Sequence, residues 1–254
     1  ESFSIILGSI AFGIQVYCDF SGYSDIAIGA AAIFGFKIPL NFNKPFFATS
    51  PTNFWKRWHI SLSTWVRDYL YFPLAFKHRK SDVVVYSSLM ISMVLMGLWH
   101  GASWNFLIWG GIHGIFLATH TILRRRYPRI TAHPFFQKNI GKLFSIVITQ
   151  YLMFFTFIAF RVKDFDHMLY SMNKYIFIDF ATTKTIEIIR ENEFAISLMV
   201  LFVTLHFISF KQGNLAEKIS KFKLRFWVLF LAAIFLPIAL FYVGSAQEFI
   251  YFEF

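Results

Sequence analysis

The sequence predicts an all-α fold: a polytopic bundle of membrane helices carrying one amphipathic helix that is interfacial or re-entrant. Three observations carry this. Of the 254 residues, 57% are hydrophobic and 21% aromatic, but only 15% are charged, against about 25% in a soluble domain. Apolar runs of membrane-crossing character recur along the chain. The basic residues collect between those runs.

In chain order the candidate spans are 3–18, 22–36, 83–98, 103–120, 143–160, 194–210 and 225–243, about seven membrane segments in a single membrane domain over 1–254. Several are short, as expected where helices tilt, re-enter or break inside a bundle. The stretch "CDFSGYSD", 18–25, places Asp19 and Asp25 at the expected break between the first two spans. These acids are either outward-facing and solvated or paired inside the bundle, where a carboxylate pair would suit a proton or cation path.

The stretch "TNFWKRWHISLSTWVRDYLYFPL", 52–74, predicts a single amphipathic helix. Phe54, Trp58, Leu62, Trp65, Tyr69 and Phe72 recur at helical spacing, with Lys56, His59, Ser63 and Arg67 on another face. Pro51 with Thr52 and Asn53 supplies a start and Pro73 a stop. Such a helix either anchors its aromatics in the interface or packs as a re-entrant element.

Charge sets the topology. Residues 37–82 carry eight Lys/Arg, 121–142 six, 161–193 five and 211–225 five. Seven crossings put the first, second and fourth of these segments on one side, which the positive-inside rule makes cytoplasmic; the 161–193 loop and the C-terminus then face outward. The net charge of +10 sits between apolar runs, so it suits anionic lipid head groups rather than nucleic acid. One cysteine, Cys18, excludes an intrachain disulfide. The chain begins with Glu1 and residues 1–36 hold no Lys or Arg, so 3–18 is not a signal peptide, and further helices are expected N-terminal to it.

The stretch "MGLWHGASWNFLIWGGIHG", 96–114, contains no Lys, Arg, Asp or Glu, yet holds His100, His113 and five glycines. Ionisable groups in an apolar span are costly and so mark function. Neutral imidazole is the least expensive of them to bury and can accept a proton. His100 lies between Trp99 and Trp104, with Ser103 and Asn105 nearby; it is either a catalytic base or a ring bonded across to a neighbouring helix. His59 is either catalytic or interfacial, and His113 reads as packing support. His78, His120, His133, His167 and His206 fall in loops or near span ends. No cysteine neighbours the histidines, and no pair of them sits at ligand spacing with a carboxylate, which argues against a metal site.

Four stretches, "YCDFSGYSDIAIGAAAIFGFKIPLNFNKPF", "FWKRWHISLSTWVRDYLYFPL", "MGLWHGASWNFLIWGGIHG" and the terminal "FIYFEF", resemble membrane-bound O-acyltransferases. The branch they resemble contains alginate O-acetyltransferase and the D-alanyl transfer protein of teichoic acids. The resemblance is dense over 15–115 and returns at the tail. It implies that His100 is the catalytic histidine and His59 its second, with an N-terminal half preceding this chain. It also implies transfer of an acetyl or other short acyl group to an extracytoplasmic polysaccharide or envelope polymer, in a bacterial cytoplasmic membrane. The donor is a cytoplasmic thioester (acetyl-CoA or an acyl carrier protein), no cofactor stays bound, and an extracytoplasmic partner completes the transfer. Lys56, Arg57 and Arg67 are the expected donor-attracting cations, with Ser63, Asn105 and Trp99 as further contacts. Two other classes stay open: a proton-coupled transporter using Asp19, Asp25 and the histidines, and a non-catalytic scaffold of a secretion complex.

Overall fold

The computed structural model describes residues 1–76, 80–213 and 215–241. His78, the "FIYFEF" tail and the C-terminus expected to face outward lie outside the described residues. Among the described residues every regular element is helical. Five helices are long and apolar enough to cross a membrane: Ser2–Ile33, Asp82–His100, Trp104–Arg126, Asn139–Arg161 and Glu193–Gln212. This is the all-α, multi-pass architecture that composition predicts. The chain forms two compact units, Glu1–Ile196 and a second from Ser197 onward.

Helix α1 (Ser2–Ile33) runs unbroken through 18–25, which corrects the expected division into spans 3–18 and 22–36. No proline occurs before Pro39, and a break in an apolar setting would leave backbone N–H and C=O groups unpaired. The helix ends instead at Gly35, whose φ of +81° permits a closing pair of bonds, Phe36 N–H to the Ala31 carbonyl and Gly35 N–H to that of Ala32, each 3.0 Å. Asp19 and Asp25 are six residues apart on this one helix, so they point about 120° apart around its axis and about 9 Å apart along it. Asp25 is exposed and Asp19 half-buried; they do not form a pair.

The single helix expected over 52–74 is also corrected. Helix α2 (Pro51–Trp55), capped by the Ser50 hydroxyl accepting from Asn53 N–H at 3.1 Å, stops before Lys56. Helix α3 (Ile60–Val66) begins after a turn and continues through a π turn, Arg67–Tyr71, into α4 (Phe72–Ala75). The segment 41–43 causes the break: Asn43 N–H bonds to the Arg57 carbonyl and Ile60 N–H to that of Asn41, both at 2.9 Å. The aromatic stripe divides accordingly. Phe54 and Trp58 are buried, while Trp65, Tyr69 and Phe72 are 51%, 66% and 46% exposed.

Helices α5 (Asp82–His100) and α6 (Trp104–Arg126) form an antiparallel hairpin joined by residues 101–103. Their close approach is made by glycine. A Cβ on Gly97 would meet the Phe106 carbonyl oxygen, and one on Gly110 the Met93 carbonyl oxygen. At the far end of the hairpin, Asp82 pairs with Arg125 at 3.0 Å and Arg126 at 3.2 Å. A short α7 (Pro128–Thr131) leads to α8 (Asn139–Arg161), which packs on α1 and α6. Amphipathic α9 (Phe165–Ile176) then buries Met168, Met172 and Tyr175 in the core with Met93, Met96, Trp109 and Ile158. After α10 (Thr183–Glu191), the second unit holds most of α11 (Glu193–Gln212), then α12 (Leu215–Ser220) and α13 (Leu224–Phe241).

Merging the first two spans keeps the charge alternation of the first unit. Segments 37–82 and 121–142 share one end, tied by Asp82 to Arg125 and by Thr52 Oγ1 to His120 Nδ1 at 2.8 Å. The start of α1 lies at the other end with the 161–193 loop, where Ser2 N–H donates to Asp179 Oδ1 at 3.2 Å.

Candidate active site

His100 is the last residue of α5. Eighteen residues of rise separate it from Asp82, so its ring stands about 27 Å from the basic end of the hairpin. Aromatic rings surround it: Trp99 at 4.9 Å between centroids, Trp109 at 5.3 Å, Phe160 at 5.0 Å and Phe106 at 6.1 Å. Three helices, α5, α6 and α8, therefore build the wall around one half-buried imidazole.

His59 reaches the same place from the interrupted segment. Contacts along α6 trace its path inward: Thr52 bonds to His120, Trp55 packs edge-to-face on His113 at 5.1 Å, and His59 follows. Residues 52–60 thus run inward along α6, as the re-entrant reading expects. His59 takes a left-handed conformation, φ 42° and ψ 58°, an uncommon one for a non-glycine residue and a frequent companion of functional sites. Asn41 holds that turn, its Oδ1 accepting from the Ser61 hydroxyl at 2.6 Å and its carbonyl from Ile60 N–H. The His59 ring lies 4.7 Å from that of Phe20 on α1. Burial pushes the His59 pKa down to about 4, so the ring is neutral at neutral pH. His59 and His100 are close enough for a charge on one to be felt at the other.

His113 is 2% exposed and ties α6 to α8. The Thr156 hydroxyl donates to the Met153 carbonyl at 2.7 Å, so its oxygen accepts from His113 Nε2–H at 3.1 Å. That assigns the proton to Nε2 and leaves Nδ1 a buried acceptor without a partner. Trp109 lies 4.5 Å from this ring as well as against His100.

The other predicted residues divide by what holds them. Lys56, Arg67 and Ser63 line a cavity of about 480 Å³ between α2–α3 and α5–α6. Arg67 is paired with Asp68 at 2.7 Å, and the Ser63 hydroxyl donates to the Trp58 carbonyl at 3.0 Å. Arg57 braces the turn, donating to Asn53 Oδ1 and the Asn43 carbonyl, both at 3.1 Å. Asn105 ties the start of α6 to the chain leaving α8 through the carbonyls of Val162 at 2.6 Å and Lys163 at 3.2 Å. Trp99 is 62% exposed and touches His100 edge-on. The space beside Gly97, Gly110 and Gly114 is filled by the opposing helix, so these glycines serve the close approach of α5 and α6.

Sequence reasoning missed Trp109, Phe160, Thr156 and Asn41. Trp109 carried a signal, a tryptophan set against two glycines between two histidines. The others carry none, because only the fold brings them to the histidines. Chemically, the arrangement offers two imidazoles from separate elements, one of them neutral by burial, among aromatic rings. A neutral imidazole so placed can take a proton from a hydroxyl.

The membrane-bound O-acyltransferase family model matches residues 2–162. Among curated proteins, the chain is 44% identical over 160 residues to a probable alginate O-acetylase of Azotobacter vinelandii, covering 63% of this chain and 30% of the relative. It is 39% identical over 161 residues to a peptidoglycan O-acetyltransferase of Helicobacter pylori, covering 63% and 29%. It is 32% identical over 172 residues to a teichoic acid D-alanyltransferase of Bacillus subtilis, covering 64% and 43%. The chain thus spans about a third of the length of these relatives.

Proposed function

We propose that this chain, which belongs to the membrane-bound O-acyltransferase family, carries the reacting histidines of an enzyme that transfers a short acyl group to a polysaccharide or envelope polymer. The observation that supports the reading is that a left-handed turn holds His59 within electrostatic reach of His100, which sits in a cage of aromatic rings from three helices. Relatives named for alginate, peptidoglycan and teichoic acid point to a polymer acceptor.

His100 acts as general base. It takes the proton of the acceptor hydroxyl as that oxygen attacks the thioester carbonyl; the new C–O bond forms, the C–S bond breaks, and the proton passes to the departing thiolate. A positioned base of this kind contributes roughly 10²–10⁴-fold. His59, neutral beside it, positions the substrate. The donor is acetyl-CoA or an acyl carrier thioester, anionic in either form. The field of the basic end, including Lys56, Arg57 and Arg67, draws it in. With that end cytoplasmic in a bacterial plasma membrane, His100 lies toward the outer face, where an extracytoplasmic partner completes the transfer to the polymer. Asp19 and Asp25 do not form the carboxylate pair a proton-coupled transporter would use.

The test is acyl transfer by membranes supplied with radiolabelled acetyl-CoA, with and without the extracytoplasmic partner. Label reaching polymer supports the enzyme. Solute flux driven by a pH gradient without acyl product would instead support a transporter, and normal acylation after substitution of both histidines a scaffold.

A further inference from the structure

We propose that the cavity between α2–α3 and α5–α6 is a phospholipid site, with an anionic head group at Lys56 and one acyl chain held between the helices. Its volume of about 480 Å³ falls in the range of small-ligand pockets. Neither His59 nor His100 lines it, so the inference does not rest on acyl transfer.

The chemistry of the lining is amphipathic. Lys56 and Arg67 are exposed. Arg67 is held by Asp68, whereas Lys56 has no ion-pair partner among the described residues. Leu89, Met93, Met96 and Leu117 supply apolar wall. Basic pockets between membrane helices at a cytoplasmic end suit anionic lipid head groups, and a hydrocarbon chain suits such a wall.

Two buried polar groups in the same lining lack a partner, Trp55 Nε1–H and Ser92 Oγ. Ser92 is 2% exposed. Its neighbours on these helices satisfy themselves: Ser88 donates back to the Val84 carbonyl at 2.6 Å, and Thr121 to that of Leu117 at 2.7 Å. Ser92 does not. A buried donor left unmade is costly, and such groups in native proteins call for a partner. The ester carbonyls of a glycerophospholipid are acceptors of the kind such donors lack, and they come attached to a phosphate and a hydrocarbon chain.

The experiment is native mass spectrometry of the full chain purified in detergent and titrated with dioleoyl phosphatidylglycerol or dioleoyl phosphatidylcholine. One phosphatidylglycerol is expected to be retained in preference to phosphatidylcholine. Ser92→Trp, which fills the cavity, should abolish retention. Lys56→Gln, at an exposed position, should lower the preference for phosphatidylglycerol about fivefold, the effect of one cation beside an anionic head group. That surface variant decides the matter if Ser92→Trp does not fold. Retention equal in wild type and Ser92→Trp, or a preference unchanged in Lys56→Gln, would overturn the proposal. So would displacement of the lipid by coenzyme A, which would give the cavity to the acyl donor.

Discussion

Trp55 meets His113 edge-to-face with ring centroids 5.1 Å apart, and this contact sets how deep residues 51–59 enter the bundle. Aromatic pairs of this kind add about 0.5–1.5 kcal/mol beyond the area they bury. Thr52 and His120 lie before it, and His59 and His100 after it. The segment is thus read against α6, and its end brings one imidazole within electrostatic reach of another.

Substituting the base is the most direct check. His100→Ala should reduce acylated polymer in labelled membranes by roughly 10²–10⁴-fold while immunoblotting finds normal amounts of protein. Wild-type acylation in that variant would remove His100 from the mechanism.

Acid should weaken the fold through His59. Its native pKa is about 4, against about 6.5 in an unfolded chain. Between those values the unfolded chain binds a proton that the native protein refuses. The stability from keeping the ring neutral is therefore full above about pH 6.5 and is lost as pH falls toward 4. Thermal midpoints in detergent should fall over that window, and less steeply in His59→Gln. Equal slopes would show that the ring is not held neutral.

Two glycines on facing helices give an internal comparison. Gly97→Ala puts a methyl against the Phe106 carbonyl and should cost about 1–3 kcal/mol. Gly111 has open space around it, and Gly111→Ala should stay within about 0.5 kcal/mol. Unfolding midpoints of both variants measure this; equal loss would contradict the close approach of α5 and α6.

Thr156→Val should cost about 1–3 kcal/mol, because it leaves His113 Nε2–H buried without an acceptor. Thr156→Ser keeps the oxygen and should recover most of that loss. If valine and serine prove equivalent in thermal unfolding, the bond contributes nothing.

Composition and periodicity by themselves determined the all-α, multi-pass class and placed the helices that became α5, α6, α8 and α11. Low charge and long apolar runs leave the backbone no alternative to pairing within its own segment. The same reading singled out His100, because a titratable ring stands out in apolar surroundings, whereas His59, on a polar face, was raised by the resemblance. Tertiary structure decided where local periodicity is overruled. The stripe from Phe54 to Phe72 has a helical period, but long-range bonds from Asn41 and Asn43 compete with the i to i−4 bonds at 56–60 and break it. The role of Gly97, Gly110 and Gly114 shows only when α5 and α6 are set against each other. Arg57 and Asn105 looked free to meet a substrate, and the fold uses both to hold itself together. Spacing reports which face of a segment is apolar. What covers that face, and which distant carbonyl captures a donor, follows only from the folded chain.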